Sequence, residues 1–121
     1  MNSNLSSIID MNSELEVVSI SGILNLTTGQ QLRQNITNLV NSGTRSILLD
    51  CSALQFMDSA GLGAVVMAFK SVREVNGQFG LCMLNDQVQM ILELTGMNQV
   101  FPIFSNASEF RDKYSLSQTG T

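Results

Sequence analysis

One hydroxyl in this chain stands where chemistry could happen. Ser59 follows Asp58 in the run Asp58-Ser59-Ala60-Gly61-Leu62, just after an apolar segment, Ser46–Cys51, and at the start of a long apolar helical run. A serine becomes a nucleophile only when a neighbouring base takes its proton. The chain has no histidine, so neither a Ser-His pair nor an imidazole ligand can form. Ser59 is flanked as Met57-Asp58-Ser59-Ala60-Gly61, which is not a Gly-x-Ser-x-Gly elbow, and no Gly-x-x-x-x-Gly-Lys or post-strand Gly-x-Gly-x-x-Gly is present. Gly61 and Gly63 form a lone Gly-x-Gly inside a helical pattern, which reads as small residues permitting close packing on a sheet. Cys51 and Cys82 have neither CxxC nor metal spacing and read as buried free thiols. Carboxylates are few and scattered. The expectation is a protein that is not an enzyme, with no catalytic residue, no metal and no cofactor.

Ser59 then has two remaining roles: it caps a helix, or it is modified. Asp58 and Ser59 are both favoured N-cap residues. Turned at 100° per residue, Leu62, Val65, Val66, Phe69 and Val72 fall on one side of the helix that follows, as a core stripe. The opposite side carries Ala60, Gly63, Ala64, Met67 and Ser71, where a one-sided amphipathic helix should carry charge. Either another helix buries that smooth face, or it is an exposed docking surface with Met67 as an adaptable anchor. If it is exposed, Ser59 sits at its rim. A phosphate there would add about −1.5 to −2 charge, which a helix N-terminus tolerates and a docked partner does not.

Composition removes other function classes. Of 121 residues, 44% are hydrophobic and 13% charged, enough for a real core without disulfides. The net charge is −4, from 6 Lys+Arg against 10 Asp+Glu, with no basic cluster to meet phosphates. Nucleic-acid binding and polybasic membrane attachment are therefore not expected. Nothing resembles a signal peptide or a membrane span, so a cytoplasmic location is expected.

The elements that would position Ser59 alternate along the chain. Leu5, Ile8 and Ile9 suggest a short edge strand, and residues 15–20 a β-branched strand ended by a Ser21-Gly22 turn. Thr27 or Thr28 is a candidate N-cap for a helix with Leu32, Ile36, Leu39 and Val40 on one face and Gly43 as its stop. The strand at 46–51 does not alternate, which suits burial on both faces. A helix over about 59–75 ends at Gly77, and Phe79–Leu84 forms the next strand. Asn85 or Asp86 caps a third helix, with Val88, Ile91, Leu92 and Thr95 on one face and Gly96 at its end. A last strand spans 100–104, with Pro102 arguing for a sheet edge. Asn106 and Glu109 open a final helix that carries Phe110 and Tyr114. The order predicts an α/β domain with a largely parallel sheet, one domain over 1–121 with its core at about 15–112 and less ordered ends at 1–13 and 115–121.

The run Leu49-Asp50-Cys51-Ser52-Ala53-Leu54-Gln55-Phe56-Met57-Asp58-Ser59-Ala60-Gly61-Leu62-Gly63 resembles the signature of STAS domains, and more narrowly of stand-alone bacterial anti-sigma factor antagonists. The resemblance spans roughly residues 15–112. It implies a mostly parallel sheet of four to five strands packed with about four helices. It further implies a protein–protein switch in which the unphosphorylated form binds an anti-sigma factor, itself a serine kinase, and so frees a sigma factor for transcription. The kinase, which holds the ATP and its metal, would phosphorylate Ser59, and a PP2C-type serine phosphatase would restore binding. Asp58, Ser59, Ala60, Gly61, Gly63 and Met67, with Asn25 beside them, are the expected partner-binding positions of a monomer or weak homodimer. The family commonly has a second Ser or Thr at the position of Ala60, which leaves Ser59 as the only hydroxyl in this loop. It also commonly has an aspartate where Gly22-Ile23-Leu24-Asn25 carries Asn25, which keeps the shape and loses the charge; Asn25 reads equally as a simple cap. The alternative is a STAS interaction module of a stress-sensing, transporter or lipid-transport assembly that phosphorylation does not regulate.

Overall fold

The structure is a computed structural model that describes residues 15–116. The edge strand expected at Leu5, Ile8 and Ile9 lies outside the described residues, as does most of the C-terminal tail. Four strands form one parallel sheet in the order β1-β2-β3-β4, with β1 at Glu16–Leu24, β2 at Ser46–Met57, β3 at Gln78–Cys82 and β4 at Ile103–Phe104. Parallel neighbours need crossover connections. These are α1 (Leu26–Asn41), α2 (Ser59–Glu74) and α3 (Asp86–Thr95), and α4 (Ala107–Tyr114) follows the last strand.

Burial explains why β2 does not alternate. Ile47, Leu48 and Leu49 are all fully buried. Ile47, Leu49 and Cys51 join the main core with Leu32 and Ile36 of α1, Val65, Ala68 and Val72 of α2, and Val88 and Leu92 of α3. Leu48 points the other way, into a smaller cluster with Cys82 and Phe110 that α4 closes. Three helices therefore cover one sheet face and one covers part of the other. Phe69, Phe79 and Phe101 pack edge-on or tilted at 5.6–6.4 Å between centroids and close the main core beside α2.

Several local expectations change. Ser21-Gly22 does not turn the chain; β1 runs on to Leu24, and the irregularity there is absorbed as register shifts against β2, with Gly22 at φ +68°. Thr28 is not an N-cap. Asn25 caps α1, and Thr28 returns the favour as the third residue of a capping box. β2 extends six residues past Cys51 because its end keeps pairing with β1 up to Leu24–Met57. At the end of α2 the left-handed residue is Asn76 (φ 62°). Gly77 is needed for a close approach instead: a Cβ there would lie 2.5 Å from the Arg45 carbonyl oxygen. β4 is shorter than expected, and the Pro102 carbonyl accepts from the Leu81 N–H at 3.0 Å just ahead of it. Gly43 and Gly96 take positive φ after α1 and α3, as their spacing suggested.

Both thiols are free and buried. Burial, then the negative charges around it, pushes Cys51 up to about 12, and burial followed by Asp50 pushes Cys82 up to about 11. The native protein at pH 8 should accordingly resist iodoacetamide, with alkylation appearing only on unfolding, as mass spectrometry would register. Folded thiols keep a proton that the unfolded chain releases above its ordinary value of 9.0, so stability should fall as pH rises from about 9 towards 11–12. A Leu49→Ala variant should lose about 2–5 kcal/mol in urea unfolding, with a slope near that of the wild type.

Candidate functional site at the start of the second helix

The β1–β2 ladder ends at the Leu24–Met57 pair. The next residue of each strand caps the helix that follows. Asn25 Oδ1 accepts from the Thr28 N–H at 3.1 Å, and Asp58 Oδ1 accepts from the Gly61 N–H at 2.9 Å. The Thr28 hydroxyl accepts from the Asn25 N–H at 2.8 Å and donates to the Ile23 carbonyl at 2.9 Å. Two helix N-termini therefore open side by side at the same sheet end, and both present partial positive charge there.

The start of α2 is held to the end of β1. The Asp58 N–H donates to the Leu24 carbonyl at 3.1 Å, and the Leu62 N–H donates to the Asp58 carbonyl at 2.9 Å. Gly61 lies directly over Leu24; a Cβ at Gly61 would stand 2.1 Å from the Leu24 carbonyl oxygen. One turn on, Gly29 of α1 faces Ala64, where an added Cβ would meet the Ala64 methyl at 2.9 Å. The two explanations for the smooth face thus divide it between them. Ala64 is buried against α1, whereas Ala60, Gly63 and Met67 are exposed. Gly61, expected at a partner interface, is buried and serves the packing of the helix on the strand.

Ser59 is the first residue of α2 and is exposed. Its hydroxyl makes no hydrogen bond among the described residues, since Asp58 does the capping. Helix geometry leaves the Ser59 and Ala60 N–H groups without an intrahelical acceptor. The hydroxyl is therefore accessible, uninvolved in holding the helix, and placed where added negative charge is favoured. No base touches it. Among the described residues, no group of three or more His, Cys, Asp or Glu could hold a metal ion.

Three apolar residues at this sheet end escaped the reading of the sequence. Ile23 and Phe56 pair across β1 and β2 and are 51% and 42% exposed, and Leu26, at the first position of α1, is 63% exposed. They make this strand end apolar for a solvated surface, and Met67, 41% exposed, lies two turns further along α2. Strict alternation back from Leu24 and Met57 would have placed Ile23 and Phe56 on the outer face. That signal needed the strand ends, which ran further than their composition suggested.

The STAS domain model matches residues 8–110. The chain belongs to the STAS family. Among curated STAS relatives, the chain is 31% identical over 87 residues to BtrV of Bordetella bronchiseptica, a protein assigned as an anti-sigma factor antagonist; this covers 72% of the chain and 75% of BtrV. It is 30% identical over 91 residues to the anti-sigma F factor antagonist of Paenibacillus polymyxa, covering 74% and 78%. Among solved STAS structures, the fold matches a Thermotoga maritima protein assigned as an anti-sigma factor antagonist, with a TM-score of 0.76 at 25% identity over 82% of this chain and 86% of that one. It also matches Bacillus SpoIIAA in its unphosphorylated and phosphorylated forms, with TM-scores of 0.65 and 0.64 at 22% and 20% identity, covering 85% and 83% of this chain and 91% of SpoIIAA in each case. The STAS fold accordingly accounts for the parallel sheet and the helices.

The two glycines of this STAS site should separate in a stability measurement. Gly61→Ala forces a methyl into the Leu24 carbonyl and should cost about 3 kcal/mol or more. Gly63 has nothing within 4 Å of an added Cβ. Gly63→Ala should leave stability unchanged or raise it by about 0.5–1 kcal/mol. Equal effects in urea unfolding would contradict the packing described.

Proposed function

We propose that the protein is an anti-sigma factor antagonist whose binding is switched by phosphorylation of Ser59. The observation that carries this reading is the division of labour at the helix start. Asp58 provides the cap, so the exposed Ser59 hydroxyl is free to be modified without cost to the helix. Unphosphorylated, the exposed α2 positions Ala60, Gly63 and Met67, with the adjacent caps Asn25 and Asp58, dock an anti-sigma factor that is a serine kinase. That kinase brings the ATP, and a PP2C-type phosphatase resets the site.

The energetics favour switching over unfolding. A negative charge at a helix N-terminus is worth about 0.3–1 kcal/mol in favour of the fold. Burying an unpaired phosphate under a partner costs several kcal/mol, and each 1.4 kcal/mol is tenfold in affinity. Phosphorylation should therefore weaken binding by about 100-fold or more. Ala60 leaves the kinase no second hydroxyl in the loop. Asn25 reproduces an aspartate's capping through its amide oxygen but leaves Asp58 as the sole carboxylate of the two adjacent caps.

Incubation with the cognate kinase and ATP should add one phosphate, located at Ser59 by mass spectrometry, and Ser59→Ala should abolish it. Label on another serine, or none with any cognate kinase, would favour an interaction module that phosphorylation does not regulate. In the switch, a pull-down loses its partner when ATP permits turnover; in an unregulated module it does not.

A further inference from the structure

A second set of exposed apolar residues lies on α3 and the β4 edge of the sheet. Of the ten large hydrophobic residues that are exposed among the described residues, five fall between residues 83 and 103: Met83, Met90, Leu94, Val100 and Ile103. Leu94 is 79% exposed, the most of any of them. Met90 and Leu94 are one turn apart on the outer ridge of α3. Beside that ridge runs a groove between α3 and the short edge strand β4. It consists of two adjoining depressions that share Leu84, Gln89 and Ile103, one bounded by Glu93 and the other by Met83 and Glu109. The first depression alone encloses about 300 Å³.

The charged residues that line the two depressions, Glu93 and Glu109, are both acidic. Residues 83–109 carry three carboxylates, Asp86, Glu93 and Glu109, and no lysine or arginine. All three carboxylates are exposed. A second copy of the chain, itself at net −4, would bring like charges together here, as would a nucleic acid or an anionic membrane. A partner with positive charge around apolar anchors meets both features. Methionines at 83 and 90 give the apolar part an adaptable shape. α3 is ten residues long, about 15 Å at 1.5 Å per residue, a length that a helix of three turns can lie against.

We propose that the α3–β4 face docks a basic amphipathic helix of a partner protein, independently of Ser59. Leu94 and Met90 take its apolar side, Glu93 and Glu109 its Lys or Arg side chains, and the groove over Ile103 and Leu84 an anchoring side chain. The surface is built from α3 and β4, whereas the Ser59 site is built from β1, β2, α1 and α2; the two meet where the Asn85 side chain, the cap of α3, donates to the Leu54 carbonyl of β2 at 2.8 Å.

The test uses the full chain, labelled with nitrogen-15, and a designed 14-residue helical peptide of leucine and lysine. A charge-swapped peptide, with glutamate for lysine, and a scrambled peptide serve as controls. The lysine peptide should shift the amide resonances of residues 83–94 and 103–109. Leu94→Ser and Glu93→Lys, both at exposed positions, should each weaken binding at least tenfold while leaving the thermal midpoint unchanged. Ser59→Asp should bind the peptide as well as the wild type does. The proposal is overturned if shifts concentrate at the Ser59 face, if the charge-swapped or scrambled peptide binds equally well, if Leu94→Ser and Glu93→Lys bind unchanged, or if no shift occurs. Concentration-dependent shifts at these residues without peptide would instead assign the face to a second copy of the chain.

Discussion

The carbonyl of Leu24 is the point on which the strand end and the helix start are assembled. It accepts from the Asp58 N–H at 3.1 Å, and Gly61 sits so close above it that no side chain fits between. β1 therefore dictates where α2 begins, although the two are separated by α1 and β2 in sequence. Everything proposed for Ser59 follows from that placement. Had α2 begun one residue later, Ser59 would be the cap and its hydroxyl would be committed to a backbone N–H. Because Asp58 is both tied to Leu24 and bonded to Gly61, the hydroxyl beside it stays out of the structure.

The same constraint explains why this end of the sheet exposes apolar surface. Parallel strands in register put their following caps, Asn25 and Asp58, side by side. The residues around them then present outward whatever the sequence supplies: Ile23 and Phe56 from the strands, Leu26 from α1, and Ala60 from α2. Packing consumes the other small residues. Gly29 against Ala64 brings the two helices together, and Gly61 seats α2 on the strand. One helix therefore carries both a helix-packing seam and an exposed strip, side by side on what looked like a single smooth face.

Much of this was legible in the sequence, for physical reasons that can be named. The non-alternating Ile47-Leu48-Leu49 announced a strand buried on both faces, and the two core clusters on either side of it bear that out. Asn106, Gly43 and Gly96 marked helix ends by their side-chain or backbone chemistry alone, and of the two candidates Asn85 and Asp86 the structure selects Asn85. The choice between Asp58 and Ser59 as cap was not legible, because both residue types cap equally well and only the tertiary bond to Leu24 selects the start. Thr28 misled for a related reason: it belongs to the capping box as its third residue, a role that needs Asn25 to be recognised as the first. Ser21-Gly22 read as a turn because glycine permits one, whereas the neighbouring strand holds it in the ladder with a shift of register. Burial of Ala64 but not Ala60 depends on α1 lying across one side of α2, which no periodicity within α2 reveals.

The central claim is that charge at Ser59 governs binding and leaves the fold alone. The most direct measurement pairs two readings on one variant, Ser59→Asp: its urea unfolding midpoint and its affinity for the cognate anti-sigma kinase by titration calorimetry. The account predicts a midpoint equal to or slightly above that of the wild type, with affinity reduced by about 100-fold or more. A variant that unfolds earlier, or one that folds normally and binds as tightly as the wild type, would contradict it.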